Sequence, residues 1–166
     1  MFTLMRAITY SVGFIGLLLV FLPGQVLQSA GITRPPGIGV PQVIGASMAV
    51  LGAALAVWCI LTFVFVGRGT PAPFDPPRRL VVRGPYRFVR NPMYWGAVLV
   101  LGGAGVFYQS IALVGYALLF LVAVHLFVCF HEEPTLRRLF GEEYEAYCRG
   151  VRRWSPIRPR ATTSSS

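Results

Sequence analysis

The side chains best able to do chemistry fall into two groups, the adjacent acids Glu132 and Glu133 and the arginines Arg83, Arg87 and Arg90. Both acids close an apolar run. A helix C-terminus favours cations, so the pair calls for partners, either those arginines or a bound cationic cofactor. His125 and Cys129 precede the acids and share roughly one helical face with Glu132 or Glu133. His131 stands beside them as a candidate base. Arg83, Arg87 and Arg90 recur at intervals of four and three, a spacing that one helical turn would bring to one side, and convergent guanidiniums suit a carboxylate or a phosphate. Gly84-Pro85 interrupts that turn. Metal chemistry is not indicated. His131-Glu132-Glu133 lacks His-Glu-x-x-His spacing, and His125 and His131 lie on different helical faces.

These residues need elements that hold them at one membrane face. The chain of 166 residues is 55% hydrophobic, with apolar runs long enough to cross a bilayer, so the class is a small all-α polytopic membrane protein rather than a soluble single-core domain. All 15 basic residues are arginine, and five of the six acids, Glu132, Glu133, Glu142, Glu143 and Glu145, cluster in one region. A net charge of +9 raises nucleic acid as a partner, but the arginines flank apolar runs, where they orient spans and meet anionic headgroups; nucleic acid is not expected. Cys59, Cys129 and Cys148 form no disulfide or metal framework.

About four transmembrane helices are expected. The first runs from Leu4 to Leu22 and stops at Pro23-Gly24, the second from Val43 to Val66, the third from Met93 to Phe107 and the fourth from Ser110 to Glu132. A retained first span fits better than a cleaved signal peptide. Residues 25–42 read as a structured loop or a short interfacial piece. Asn91 is a good helix cap before Pro92, and the third span, at about 15 residues, is short for a crossing. Glycines at 96, 102, 103 and 105 suggest close packing. The loop between spans two and three carries six arginines, against Arg34 alone in the preceding loop, which orients the N-terminus, the arginine-rich loop and the C-terminus to the cytoplasm. Beyond Pro134, Leu136, Leu139, Phe140, Tyr144 and Tyr147 mark an amphipathic interfacial helix, or a pair broken at Gly141. The organisation is then an N-terminal pair of spans over 1–66, a core over 67–158, and a disordered tail over 159–166.

Gly84-Pro85-Tyr86 is followed by Arg90-Asn91-Pro92-Met93-Tyr94-Trp95-Gly96. After a hairpin come Glu132-Glu133-Pro134-Thr135-Leu136, Phe140-Gly141, Tyr144, Tyr147 and Arg152-Arg153-Trp154-Ser155-Pro156. In these motifs the chain resembles the integral membrane methyltransferases that include isoprenylcysteine carboxyl methyltransferase and the phospholipid methyltransferases. The resemblance covers about 78–156 and departs at Asn91, where the family often has histidine. It implies S-adenosylmethionine as cofactor, held by Asn91, Tyr94, Gly96, His131, Glu132 and Glu133 and covered by the C-terminal segment. Arg87, Arg90 and Glu133 become the catalytic candidates. Arg83, Tyr86, Arg87, Trp95 and His125 become the substrate-binding ones. The implied reaction is methyl transfer to a membrane-embedded amphiphile, with the carboxylate of an isoprenylated cysteine or similar lipid-like acid preferred for the arginines. N-methylation of a phospholipid amine and a non-catalytic lipid-binding protein are the rivals. Partners are membrane lipid and an amphiphilic small molecule; the residues leave oligomeric state open.

Overall fold

The computed structural model describes residues 13, 16–35, 37–67 and 79–156. Every regular element among them is helical, as lipid demands of a chain that must satisfy its own backbone. A π-helical turn, Gly16–Phe21, runs into α1 (Leu22–Ser29). Helix α2 spans Val40–Thr62 and ends in a π turn, Phe63–Gly67. A 3₁₀ turn at Gly84–Arg87 leads to α3 (Pro92–Phe107), which α4 (Ile111–Phe127) follows. A π turn at Val128–Glu132 then carries the chain into α5 (Glu133–Gly150). The continuous helices Val40–Gly67 and Ile111–Gly150 are long and apolar enough to cross a membrane, while Gly16–Ser29 and Pro92–Phe107 are shorter apolar helices. The protein is therefore an all-α membrane protein. The beginning of the expected first span, the loop 68–78 and the expected tail 159–166 lie outside the described residues.

Prolines start helices here more often than they stop them. Pro23, expected to end the first span, sits in the first turn of α1, and the helix continues to Ser29. The helix runs unbroken from the π turn through Pro23, which removes one backbone donor, and the wider turn ahead of it gives its ring room. Pro41 lies in the first turn of α2, moving its start to Val40 from the expected Val43. Pro134 lies in the first turn of α5, so the chain stays helical past Glu132 and Glu133. Neither acid is at a helix C-terminus, and the dipole argument for partners does not apply to them.

Small residues let α2 and α3 touch backbone to backbone. A β-carbon at Gly52 would lie 2.5 Å from the carbonyl oxygen of Gly96, and one at Gly103 would lie 2.5 Å from that of Gly45. These two contacts fix the antiparallel register of α2 and α3. Gln42 secures one end, donating from Nε2 to the Phe107 carbonyl at 3.0 Å. The α3–α4 hairpin turns at Tyr108–Gln109, and Ser110 Oγ caps α4 by accepting from the Leu113 N–H at 3.3 Å. The opposite side of the hairpin takes the N-terminal segment. Leu18 and Leu19 pack on Leu101, Ala117 and Phe120, and Tyr116 Oη donates to the Leu18 carbonyl at 2.9 Å. At Gly141 (φ 49°, ψ −122°) α5 breaks, and the half beyond it carries Tyr144, Tyr147 and Cys148 back to the segment preceding α3.

Candidate active site

The hairpin brings the start of α3 and the end of α4 together, and residues 151–156 cross over both as a strap. Tyr94, on the first turn of α3, donates from Oη to Glu132 Oε2 at 2.9 Å. Asn91 is the N-cap residue of α3, three positions earlier in the chain. The expected capping bond is not made: its side chain caps nothing, and its buried Nδ2 has no hydrogen-bond partner. A buried donor left without an acceptor costs about 1–3 kcal/mol, and a ligand acceptor would relieve that cost.

Glu133 faces a different set of groups. It is 5% exposed and takes a two-pronged grip from Arg153, whose Nε and Nη2 donate to its two oxygens at 2.7 and 2.8 Å. Arg90 Nη1 approaches the same carboxylate at 3.2 Å. Burial alone would raise the Glu133 carboxyl, but the Arg153 hydrogen bonds and the charge of Arg90 hold it below its usual value. The same hydrogen bonds raise Arg153. Glu133 and Arg90, read from the sequence as catalytic candidates, thus form a tie between the loop, α5 and the strap. Arg90 extends it by donating from Nη1 to Cys148 Sγ at 2.7 Å and from its backbone N–H to the Arg152 carbonyl at 3.0 Å.

The strap closes over an aromatic corner. Trp95 Nε1 donates to the Trp154 carbonyl at 3.1 Å, and the two indoles stand edge to face, 6.3 Å apart at 85°. Trp154 Nε1 donates to His125 Nδ1 at 3.0 Å, which puts the neutral ring's proton on Nε2, 3.6 Å from Cys129 Sγ. Cys129 Sγ also accepts from Arg153 Nη1 at 3.1 Å. The helical face of His125 and Cys129 therefore continues, through Arg153, to Glu133 and not to Glu132.

Several sequence candidates lie elsewhere. Gly96 does not open onto the polar groups: a β-carbon there would meet Gly52 and Ala56 of α2, so its small size serves helix packing. His131 is exposed and lies against Phe127, ring centres 5.2 Å apart. Arg83 and Arg87 do not converge with Arg90. They line a separate cleft on the outer side of the 3₁₀ turn, while Arg90 turns inward. Tyr86 is buried against Cys59 and Val81, and its carbonyl accepts from Tyr147 Oη at 2.5 Å. Burial raises the Tyr147 phenol, which stays a protonated donor. Arg153, Trp154 and Cys148 had no assigned role in the sequence reading. The Arg152-Arg153-Trp154 run, placed directly after the last amphipathic helix, was the signal available for the first two.

Among the described residues no group of His, Cys, Asp and Glu is arranged to hold a metal ion. No curated protein and no solved structure matches the chain. Residues 40–143, from the start of α2 to just beyond the Gly141 kink, match the family described as phospholipid methyltransferase. With well over half of its length matched, and with apolar helices that meet at a cluster of polar side chains, the chain belongs to the phospholipid methyltransferase family, membrane enzymes that methylate lipid-like substrates.

Proposed function

We propose that the protein moves the methyl group of S-adenosylmethionine onto the amine of a phospholipid headgroup, at the membrane face where α3, α4 and the strap meet. The observation that carries this reading is the Tyr94–Glu132 hydrogen bond of 2.9 Å, with the unpartnered Nδ2 of Asn91 one turn away. When bound, the cofactor supplies an electrophilic methyl carbon on a sulfonium. The residues present suit such a group. Asn91 offers a donor that lacks an acceptor, and Glu132 is a partly exposed carboxylate, able to hold an ammonium or a ribose hydroxyl. Tyr94 fixes the direction of that carboxylate. Trp95 and Trp154 add aromatic surface, which attracts methylated cations.

In-line transfer to a nucleophile gains most from alignment, so the tasks for the protein are positioning and exclusion of water. Trp154 and the Arg153–Glu133 tie hold the strap over the polar groups, and the outer faces of α2 and α4 expose apolar side chains such as Val50, Leu119 and Val122 to lipid. A lipid acceptor would arrive from that side and the cofactor from the cytoplasm. The expectation of a carboxylate acceptor rests on converging arginines, and Arg83 and Arg87 face away from Arg90. A carboxylate acceptor, including that of an isoprenylated cysteine, keeps one specific observation in its favour: the buried Nε of Arg90 has no partner.

The experiment is to incubate membranes containing the protein with methyl-labelled S-adenosylmethionine and to hydrolyse the lipid product in alkali. Label retained as a stable methylamine is the expected result. Label released as methanol would assign a carboxyl ester instead. Absence of saturable cofactor binding by the purified protein would leave only a non-catalytic lipid-binding role.

A further inference from the structure

Between the 3₁₀ turn and the end of α5 lies an open cleft of roughly 860 Å³, lined by Arg83, Arg87 and Arg149 together with Val82, Tyr147 and Val151. Its arginines come from two elements separated by more than sixty residues and are all exposed. No acid contributes to the lining, and among the described residues no carboxylate pairs with any of the three. Among the described residues the charge is therefore concentrated there without a carboxylate partner, while Arg90, only three residues beyond Arg87, is held by Glu133.

What surrounds the cleft indicates the source of the anion. Val82 in the lining is 43% exposed, and Phe88, whose ring lies 5.4 Å from the Arg87 guanidinium, is 56% exposed. The 3₁₀ turn rests on the last turns of α2: a β-carbon at Gly84 would sit 3.0 Å from Thr62 Oγ1 and 3.5 Å from Trp58 Nε1. Trp58 is itself 55% exposed, and a tryptophan facing outward near the end of an apolar span belongs at headgroup level. Guanidinium forks beside exposed apolar side chains at that depth suit a phosphate ester that carries acyl chains better than a phosphate free in water.

We propose that Arg83, Arg87 and Arg149 form an anchoring site for the phosphate ester of a membrane phospholipid, distinct from the Tyr94–Glu132 pair. Val151, in the cleft wall, is the first residue of the strap, so a bound headgroup would brace the segment that carries Arg153 and Trp154. The choice of a lipid as ligand rests on the proposed lipid-facing activity, whereas the site is read by binding alone.

The test uses the purified full-length chain in detergent micelles, titrated calorimetrically with dihexanoyl phosphatidylglycerol, dihexanoyl phosphatidylethanolamine, dihexanoylglycerol and inorganic phosphate. Saturable binding of both phospholipids is expected, with none of dihexanoylglycerol and at least 100-fold weaker binding of inorganic phosphate. At about fivefold for each arginine, R149Q should weaken phospholipid binding about fivefold, and the R83Q/R87Q/R149Q triple variant on the order of 100-fold. A triple lysine variant, which keeps the charge and loses the forks, should fall between the triple glutamine variant and the unsubstituted protein. Undiminished phospholipid binding by a folded triple glutamine variant would overturn the proposal. So would diglyceride binding as tight as phospholipid binding, or inorganic phosphate binding equally well. Phospholipid binding lost in the triple variant, in a protein that methylates no lipid, would uphold the site while sinking the proposed activity.

Discussion

The flank of α3 and its first turn are held by opposite means. Along its length α3 meets α2 through Gly96 and Gly103 set against Gly52 and Gly45, a contact made of backbone and van der Waals packing with no charge involved. At its start, the same helix is surrounded by Arg90, Glu132, Glu133 and Arg153, joined by hydrogen bonds that cross between the loop, α5 and the strap. The first contact has one arrangement that fits. The second consists of side chains that can exchange partners, which is where a ligand can enter. Rigid apolar packing thus sets the position of a polar end that remains adjustable.

The largest effect should come from the polar end. Glu133→Gln leaves Arg90 and Arg153 without their carboxylate, and breaking a buried pair costs about 3–5 kcal/mol. Because Arg153 is partly exposed, the lower end, about 3 kcal/mol, is expected in denaturant unfolding of the detergent-solubilised protein. Unchanged unfolding would show that the tie contributes nothing. Glu133 has a carboxyl pKa lowered in the folded state, so its stabilisation is fully present above the unfolded value of about 4.3. It is lost as pH falls through the lower folded value. A stability profile of the unsubstituted protein should therefore be flat in this respect at neutral pH and decline below about pH 4, and the Glu133→Gln variant should lack that part of the decline.

Next in size is the glycine interface. Gly96→Val drives a side chain into the Gly52 carbonyl, 2.7 Å from the new β-carbon, and overpacking of this kind costs about 1–3 kcal/mol. A variant with full thermal stability would mean that α2 and α3 do not pack as described. Glu132→Gln should spare the fold and raise the Kd for S-adenosylmethionine about tenfold, on the order of one lost charge-assisted hydrogen bond. Equal affinity by calorimetry would remove Glu132 from cofactor binding. The smallest change, and of opposite sign, is Gly115→Ala. A β-carbon added at this helical glycine would meet nothing within 4 Å, so alanine should be neutral or stabilise by about 0.5–1 kcal/mol, a control that separates packed glycines from free ones.

The sequence makes the helices legible because apolar length and glycine spacing act locally. It misleads at Pro23, Pro41 and Pro134, where a first-turn proline and a terminating one look alike until the neighbouring backbone is known. The polar end is less legible still. Glu132 and Glu133 are adjacent and chemically identical, and only the π turn at Val128–Glu132 and the return of the strap separate their roles. Spacing grouped Arg83, Arg87 and Arg90, but the helical pattern ends with the 3₁₀ turn, so Arg90 meets Glu133 while Arg83 and Arg87 line the outer cleft. The partner of Glu133 lies twenty residues further on, and although the break at Gly141 is legible, the direction in which the chain returns beyond it is not.

That bend has a consequence for how the protein is made. Arg153 leaves the ribosome after every other group in the polar cluster, so while the hairpin is being inserted Glu133 has the charges of Arg90 and Arg137 but not its two-pronged partner. Only when the final turns of α5 swing back at Gly141 and deliver the second guanidinium is the constellation complete. The chain thereby keeps this polar cluster unassembled until the strap itself has been made.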